Sequence, residues 1–175
     1  LTGMCESGSM LARLLFFILL AACAPSERLQ RSYSPETNVW QSMSRDAEVF
    51  RDGEDHISAR TIILEGDGEV AYYLSMSFLR GGPNGPRILT VSQGAQRLEY
   101  VRHDRLNAFC IDRCHKAEVG QISLTQDQFR TAAVAGMILQ VDGLRRNYTA
   151  VVPARLFSSA LKAANLLAPL RNLRP

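Results

Sequence analysis

The sequence predicts a mainly β domain of the α+β kind. It is an antiparallel sheet or sandwich of about seven to nine strands, with one short internal helix and a C-terminal helix packed on the sheet. Three observations predict it. Apolar residues recur with period two through most of residues 57–152. The breaks between these runs are short, which favours antiparallel pairing, because parallel strands need a crossover of a dozen or more residues. Two segments switch to helical spacing behind recognisable start signals.

The clearest strand is Val70 to Phe78, in which Val70, Tyr72, Leu74, Met76 and Phe78 share one face and Ala71, Tyr73, Ser75 and Ser77 the other. The run Ile57 to Glu65 precedes it, and Gly66-Asp67-Gly68 between them is a hairpin signal. Further strands are predicted at Ile88 to Ser92, Leu98 to Arg102, Leu106 to Ile111, Val119 to Leu124, Met137 to Val141 and Tyr148 to Val152. Gly81-Gly82-Pro83-Asn84-Gly85-Pro86 reads as a loop. Thr125-Gln126-Asp127-Gln128 is a capping box, with Leu124 and Phe129 placed for a hydrophobic staple, so a helix starts there, and Gly136 supplies its stop. Asp142-Gly143 begins the turn of the last hairpin. The second helix opens at Pro153, carries Leu156, Phe157, Ala160, Leu161 and Ala164 on one stripe, and stops before Pro169.

Upstream of this domain the sequence changes character. Arg13 is followed by Leu14-Leu15-Phe16-Phe17-Ile18-Leu19-Leu20-Ala21-Ala22-Cys23, the charge, apolar core and small residues of a secretory signal. As a helix the eleven residues Leu14 to Ala24 would reach about 16 Å, against about 30 Å of bilayer hydrocarbon, so the run cannot span a membrane. Leu20-Ala21-Ala22-Cys23 resembles the lipobox of bacterial lipoprotein precursors. The resemblance covers this segment alone, and implies that the Cys23 thiol takes a diacylglyceryl group and that cleavage falls between Ala22 and Cys23. Ala24, where an Asp would signal retention at the inner membrane, implies the periplasmic face of the outer membrane. In a Gram-positive host the same motif would imply the outer face of the plasma membrane. Counting from Met10 leaves thirteen residues before the cysteine, while counting from Met4 adds Cys5 and an acidic Glu6, unusual in a leader. The start codon is therefore read as Met4 or Met10. The expected organisation is a leader over 1–22, Cys23 with a polar tether through residue 44, one globular β-rich domain over 45–170 and a frayed tail over 171–175. Trp40, in the tether, is expected to pack at the domain edge.

Composition bounds function. The chain's 175 residues fit one domain plus a targeting segment, and 46% apolar residues suffice for a core. The 20 Lys+Arg and 17 Asp+Glu are interspersed, with no basic block of the kind that binds phosphate backbones, so nucleic acid is not expected as a partner. The expected partners are the membrane, through lipid, and another envelope protein or lipid.

Cys110-Ile111-Asp112-Arg113-Cys114 is the most informative feature of the mature chain. A three-residue loop suits a hairpin in which the two cysteines face each other within disulfide range, and outside the cytoplasm such a pair is expected oxidised. The spacing is not the CxxC of redox motifs. Two alternatives stay open: a redox-active pair, and a metal site of His103, Cys110, Cys114 and His115. In the latter, adjacent Cys114 and His115 would point to opposite faces of a strand. Ser159-Ala160-Leu161-Lys162 matches SxxK without its companion motifs, and Glu65-Gly66-Asp67-Gly68-Glu69 is a turn rather than a calcium loop. Neither a catalytic residue nor a cofactor beyond the lipid on Cys23 is expected. The functional expectation is a non-enzymatic, membrane-anchored envelope lipoprotein with a binding or scaffolding β domain, or alternatively a periplasmic redox or metal-binding factor.

Overall fold

The computed structural model describes residues 30–80, 87–104, 107–110 and 114–165. Of these, 80, 104, 107–110, 114–116 and 165 are described by their backbone alone. The chain is mainly β, in two antiparallel sheets with two helices. The strands are β1 (Gln30–Ser34), β2 (Val39–Met43), β3 (Ala47–Asp52), β4 (Asp55–Gly66), β5 (Glu69–Arg80), β6 (Ile88–Gln93), β7 (Gln96–Leu98), β8 (Tyr100–Asp104), β9 (Asn107–Cys110), β10 (Cys114–Leu124), β11 (Met137–Gly143) and β12 (Asn147–Val152). The helices are α1 (Gln126–Ala135) and α2 (Ala154–Asn165).

The first sheet runs β1-β2-β4-β5-β10-β8, with β3 also on β4 and β9 also on β10. β2 and β3 share one edge of β4, Trp40 to Met43 opposite Glu65 to Ile62 and Ala47 to Asp52 opposite Ala59 to Asp55. Between them the Ser44 N–H donates to the Thr61 carbonyl (3.0 Å) and the Ser44 hydroxyl accepts from the Thr61 N–H (2.9 Å), so the ladder is bridged where the strand breaks. The second sheet runs β12-β11-β6-β7. The chain passes from the second sheet to the first at Glu99, between β7 and β8, which is why the strand expected over Leu98 to Arg102 is two.

The β4–β5 hairpin closes on Asp67 and Gly68, with φ of +48° and +85°, the pair of positive values that a two-residue turn matched to strand twist requires. Beyond it Leu74, Met76 and Phe78 are fully buried as the alternation predicts, while Val70, beside the tip, is exposed. β12 follows the period most cleanly, with Tyr148, Ala150 and Val152 inward and Thr149 and Val151 outward. One continuous core joins Ile57, Leu74, Met76 and Phe78 of the first sheet to Val91, Leu139, Val141 and Ala150 of the second and to Phe129 and Phe157 of the helices.

The capping box of α1 is present. The Thr125 hydroxyl accepts from the Gln128 N–H (3.2 Å) and the Gln128 side chain accepts from the Thr125 N–H (2.8 Å). Gly136 ends the helix at φ +76°, where a Cβ would lie 2.8 Å from the Val152 carbonyl oxygen. α2 buries Leu156, Phe157, Ala160 and Ala163, and its Phe157 ring meets Phe129 edge-on at 5.1 Å.

Residues 30–44 correct the expected tether, because β1 and β2 pair over 30–43 in register, Gln30 opposite Met43 and Ser34 opposite Val39. The polar composition that suggested a linker is that of an edge strand, which natural sheets keep short and polar against unwanted pairing. Its ordering comes from a few contacts. Tyr33 and Trp40 are register partners with ring centroids 4.9 Å apart, and the Arg31 guanidinium lies 4.9 Å from the Trp40 ring centroid. Arg31 also donates to the Ala163 carbonyl (3.2 Å) and to that of Ala164, and pairs with Glu65 at 3.5 Å, both side chains under a tenth exposed. A buried cation thus holds the carbonyl end of α2, where the helix dipole favours it. β3, not singled out by pattern, is the other additional strand, so twelve are described against about seven to nine expected.

Truncating a fully buried helix side chain should reveal how far the helices support the sheet. Phe157→Ala is expected to lower unfolding free energy by about 3–5 kcal/mol in urea titration. A loss below about 1 kcal/mol would show that α2 is not part of the cooperative core.

Candidate functional site

Cys23 and residues 1–22 lie outside the described residues, as does the tail over 171–175. Among the described residues no helix is long and apolar enough to cross a membrane.

Cys110 ends β9 and Cys114 begins β10, and the antiparallel ladder makes them register partners. The three residues between them, 111–113, and both cysteine side chains lie outside the description. Directly opposed residues of such a ladder have Cα atoms about 4.5–5.5 Å apart, inside the about 4.4–6.8 Å that a disulfide spans. One step further His115 pairs with Ala108, so β9 carries an extra residue, Phe109, in a bulge.

His103 sits elsewhere. Asp104 pairs with Val119 and Arg102 with Gly120, which leaves His103 as the unpaired residue of a second bulge. It is exposed, with its Nε2 2.8 Å from the Gln121 side-chain oxygen. Val119, level with this bulge, is five residues along β10 from Cys114, about 16 Å at the usual strand rise. The backbone therefore sets His103 apart from Cys110, Cys114 and His115 rather than gathering the four. Among the described residues no group of three or more His, Cys, Asp or Glu side chains is close enough to hold a metal ion. Ser159 and Lys162 lie on α2, where Ser159 is half-buried and Lys162 exposed.

The same strand holds a polar cluster that pattern reading missed. Glu118 is 1% exposed, facing inward with Gly120, Ile122 and Leu124. Its Oε1 accepts from the Ile88 N–H (3.3 Å) and the Tyr100 hydroxyl (3.2 Å) and pairs with Arg102 Nε at 3.0 Å. Arg102 in turn donates to the Ile88 carbonyl (3.2 Å). Both polar groups of one peptide position at the start of β6 are thus held by side chains of β10 and β8, which staples the second sheet to the first. Glu118 Oε2 is buried without a hydrogen-bond partner among the described residues. Gly120 makes the arrangement sterically possible, since a Cβ there would lie 2.3 Å from the Tyr100 ring that crosses β10 to reach the carboxylate. The signal was available in the sequence. Glu118 has the same strand parity as Ile122 and Leu124, and Tyr100 and Arg102 share theirs on the neighbouring strand.

Chemically the cluster is a fixed carboxylate whose Oε1 accepts three donors, and its Arg102 partner keeps about a third of its side chain in water. Burial first, and the adjacent Glu118 charge second, raise the Tyr100 pKa above its ordinary value. No protein-family model, curated protein or solved structure matches the chain.

Two measurements follow from the cluster. Because the folded pKa of Tyr100 is raised, the unfolded chain loses that proton first, so the contribution is intact below about pH 10 and stability falls as pH rises beyond it. Tyr100→Phe should remove that part of the alkaline slope while costing about 1 kcal/mol at neutral pH. Glu118→Ala leaves the Tyr100 hydroxyl and the Ile88 N–H without their acceptor and should cost about 2–4 kcal/mol, the partly exposed Arg102 losing least. A Glu118→Ala protein as stable as the parent would refute the stapling role.

Proposed function

We propose that the chain is a bacterial envelope lipoprotein, cut between Ala22 and Cys23 and held on a membrane by lipid on the Cys23 thiol. Its β domain binds or scaffolds another envelope component without catalysis, on the periplasmic side of the outer membrane. One observation carries the reading: Leu20-Ala21-Ala22-Cys23 stands at the end of an apolar run too short to span a bilayer. The attachment then depends on one thiol, and two or three acyl chains on it give the stable hold that a single chain lacks. For the binding role, support comes from the outward side of the second sheet, where the register partners Ile138 and Val151 are more than half exposed and Leu89 on β6 is equally so. In this reading Cys110 and Cys114 are joined by a disulfide that pins the tip of the β9–β10 hairpin.

A second reading, a periplasmic redox or metal-binding factor, is favoured by the direct opposition of Cys110 and Cys114 across the ladder. A strained or labile disulfide would be its physical basis.

Cys23→Ser is expected to abolish metabolic labelling by a clickable fatty acid and to move the domain from the membrane to the soluble fraction. Labelling that persists in the variant would overturn the lipoprotein reading. In the purified mature protein, thiol titration under native conditions should find neither Cys110 nor Cys114 reactive. Two fast-reacting thiols would favour the redox reading, and metal that co-purifies and is lost in Cys114→Ser the metal reading.

A further inference from the structure

We propose that the outward face of the second sheet is where two copies of this chain meet, as a weak isologous dimer. The proposal rests on the reading of that face as a binding surface, and not on lipidation of Cys23.

The ladder fixes which side chains share the face. Val91, Leu139 and Val141 are fully buried, so their neighbours along each strand point away from the core. Outward, Val151 stands opposite Ile138, and both are more than half exposed. One pair-step along, Gln140, Ser92 and Arg97 form a row across β11, β6 and β7. Asp142 lies one further step along β11.

Charge selects the occupant. The outward positions of the paired strands carry one formal charge of each sign, Arg97 and Asp142, and neither has an ion pair among the described residues. A face of zero net charge exerts no general pull on anionic lipid or on a polyanion. It can, however, complement itself. Arg97 stands two strands over and one pair-step back from Asp142, about 12 Å away at the usual strand spacing and rise. A two-fold axis between two such faces, passing midway between these residues, sets Arg97 of each copy against Asp142 of the other. Drawn on the ladder, the same axis runs on between Ile138 and Val151. The apolar pair then packs on its own counterpart, and Gln140 falls near Ser92 of the second copy.

The remaining polar groups tolerate being covered. The Thr149 hydroxyl donates to the Gln140 side-chain oxygen (3.0 Å), and the Thr90 hydroxyl to Asp142 Oδ2 (2.7 Å), so these hydroxyls already hold partners within the face. Area sets the strength. Four strands and three pair-steps project roughly 400 Å² per copy, or roughly 800 Å² in all, below the roughly 1,200 Å² at which stable interfaces begin. The dimer is therefore weak and concentration-dependent in solution, and confinement of both copies to one membrane would strengthen it.

The test uses the chain from residue 23 with Cys23→Ser, so that neither the leader nor lipid contributes; every described element, from Gln30 to Asn165, is retained. Sedimentation equilibrium from micromolar to sub-millimolar protein should show a monomer–dimer equilibrium. Arg97→Asp and Asp142→Arg should each weaken it about tenfold, because each sets like charges together twice per dimer. Mixed in equal amounts, these two variants should pair with each other about as well as the parent pairs with itself, since both contacts in the mixed dimer are again of opposite sign. Ile138→Ser should weaken association by a similar factor without shifting the urea midpoint, and Val134→Ser, 86% exposed on α1, should leave it unchanged. A monomer at every concentration would overturn the proposal, as would a dimer indifferent to Arg97→Asp and Ile138→Ser, or single charge variants that fail to pair when mixed. Binding to phosphatidylglycerol vesicles that Ile138→Ser abolishes, without a dimer, would assign the face to lipid instead and likewise overturn it. Acylation of Cys23 does not enter these measurements, so the dimer and the lipid anchor fail separately.

Discussion

The fold depends on covering the inward face of three long neighbouring strands. β4, β5 and β10 have 12, 12 and 11 residues, so each extends about 40 Å, and the apolar side of that ladder must be kept from water along its length. Two separate layers do this. Towards the β4–β5 turn the cover is helical, with Phe129 of α1 at 5.1 Å from the Tyr72 ring and Phe157 of α2 against Phe129. Towards the other end it is the second sheet, whose Tyr148 meets Phe50 of β3 edge-on at 5.3 Å.

A ladder with two covers has places where backbone from different layers meets inside the protein, and three buried polar side chains, those of Thr61, Arg31 and Glu118, reach across such places. The Thr61 hydroxyl donates to the Leu156 carbonyl at 2.7 Å, tying the first turn of α2 to β4. Arg31 does the same for its last turn. Glu118, with Arg102 and Tyr100, ties the start of β6 to β10. Buried polar groups are costly unless paired, and here each pairs across a junction between layers, where apolar contacts alone would allow sliding. At the surface Arg146, in the turn between β11 and β12, pairs with Asp52 and, at 3.5 Å, with Asp55, linking the second sheet to the β3–β4 turn.

What the sequence disclosed was local. Asp67-Gly68 and the alternation on either side placed the β4–β5 hairpin, because turn chemistry and period two act within a few residues. Thr125 to Gln128 and Gly136 bounded α1 for the same reason. The proposal of lipidation at Cys23 rests wholly on such a local motif. The division into two sheets was not legible, because nothing in Leu98-Glu99-Tyr100 announces that the chain changes layers there. β1 was hidden by its position at the edge of the sheet, where one side faces solvent and polar side chains carry no penalty. Glu118 was hidden in another way. A single carboxylate among Ala117, Val119 and Ile122 looks like an outward residue until its parity is counted and its partners on β8 are known.

The edge strand changes the functional picture most. With residues 30–43 in the sheet, the proposed lipid site at Cys23 stands only seven residues before the first strand. Mass spectrometry of the mature protein's N-terminal peptide tests the central claim most directly. The account predicts a chain beginning at Cys23 and carrying a diacylglyceryl group on that residue. An unmodified Cys23, or a mature terminus elsewhere, would contradict it.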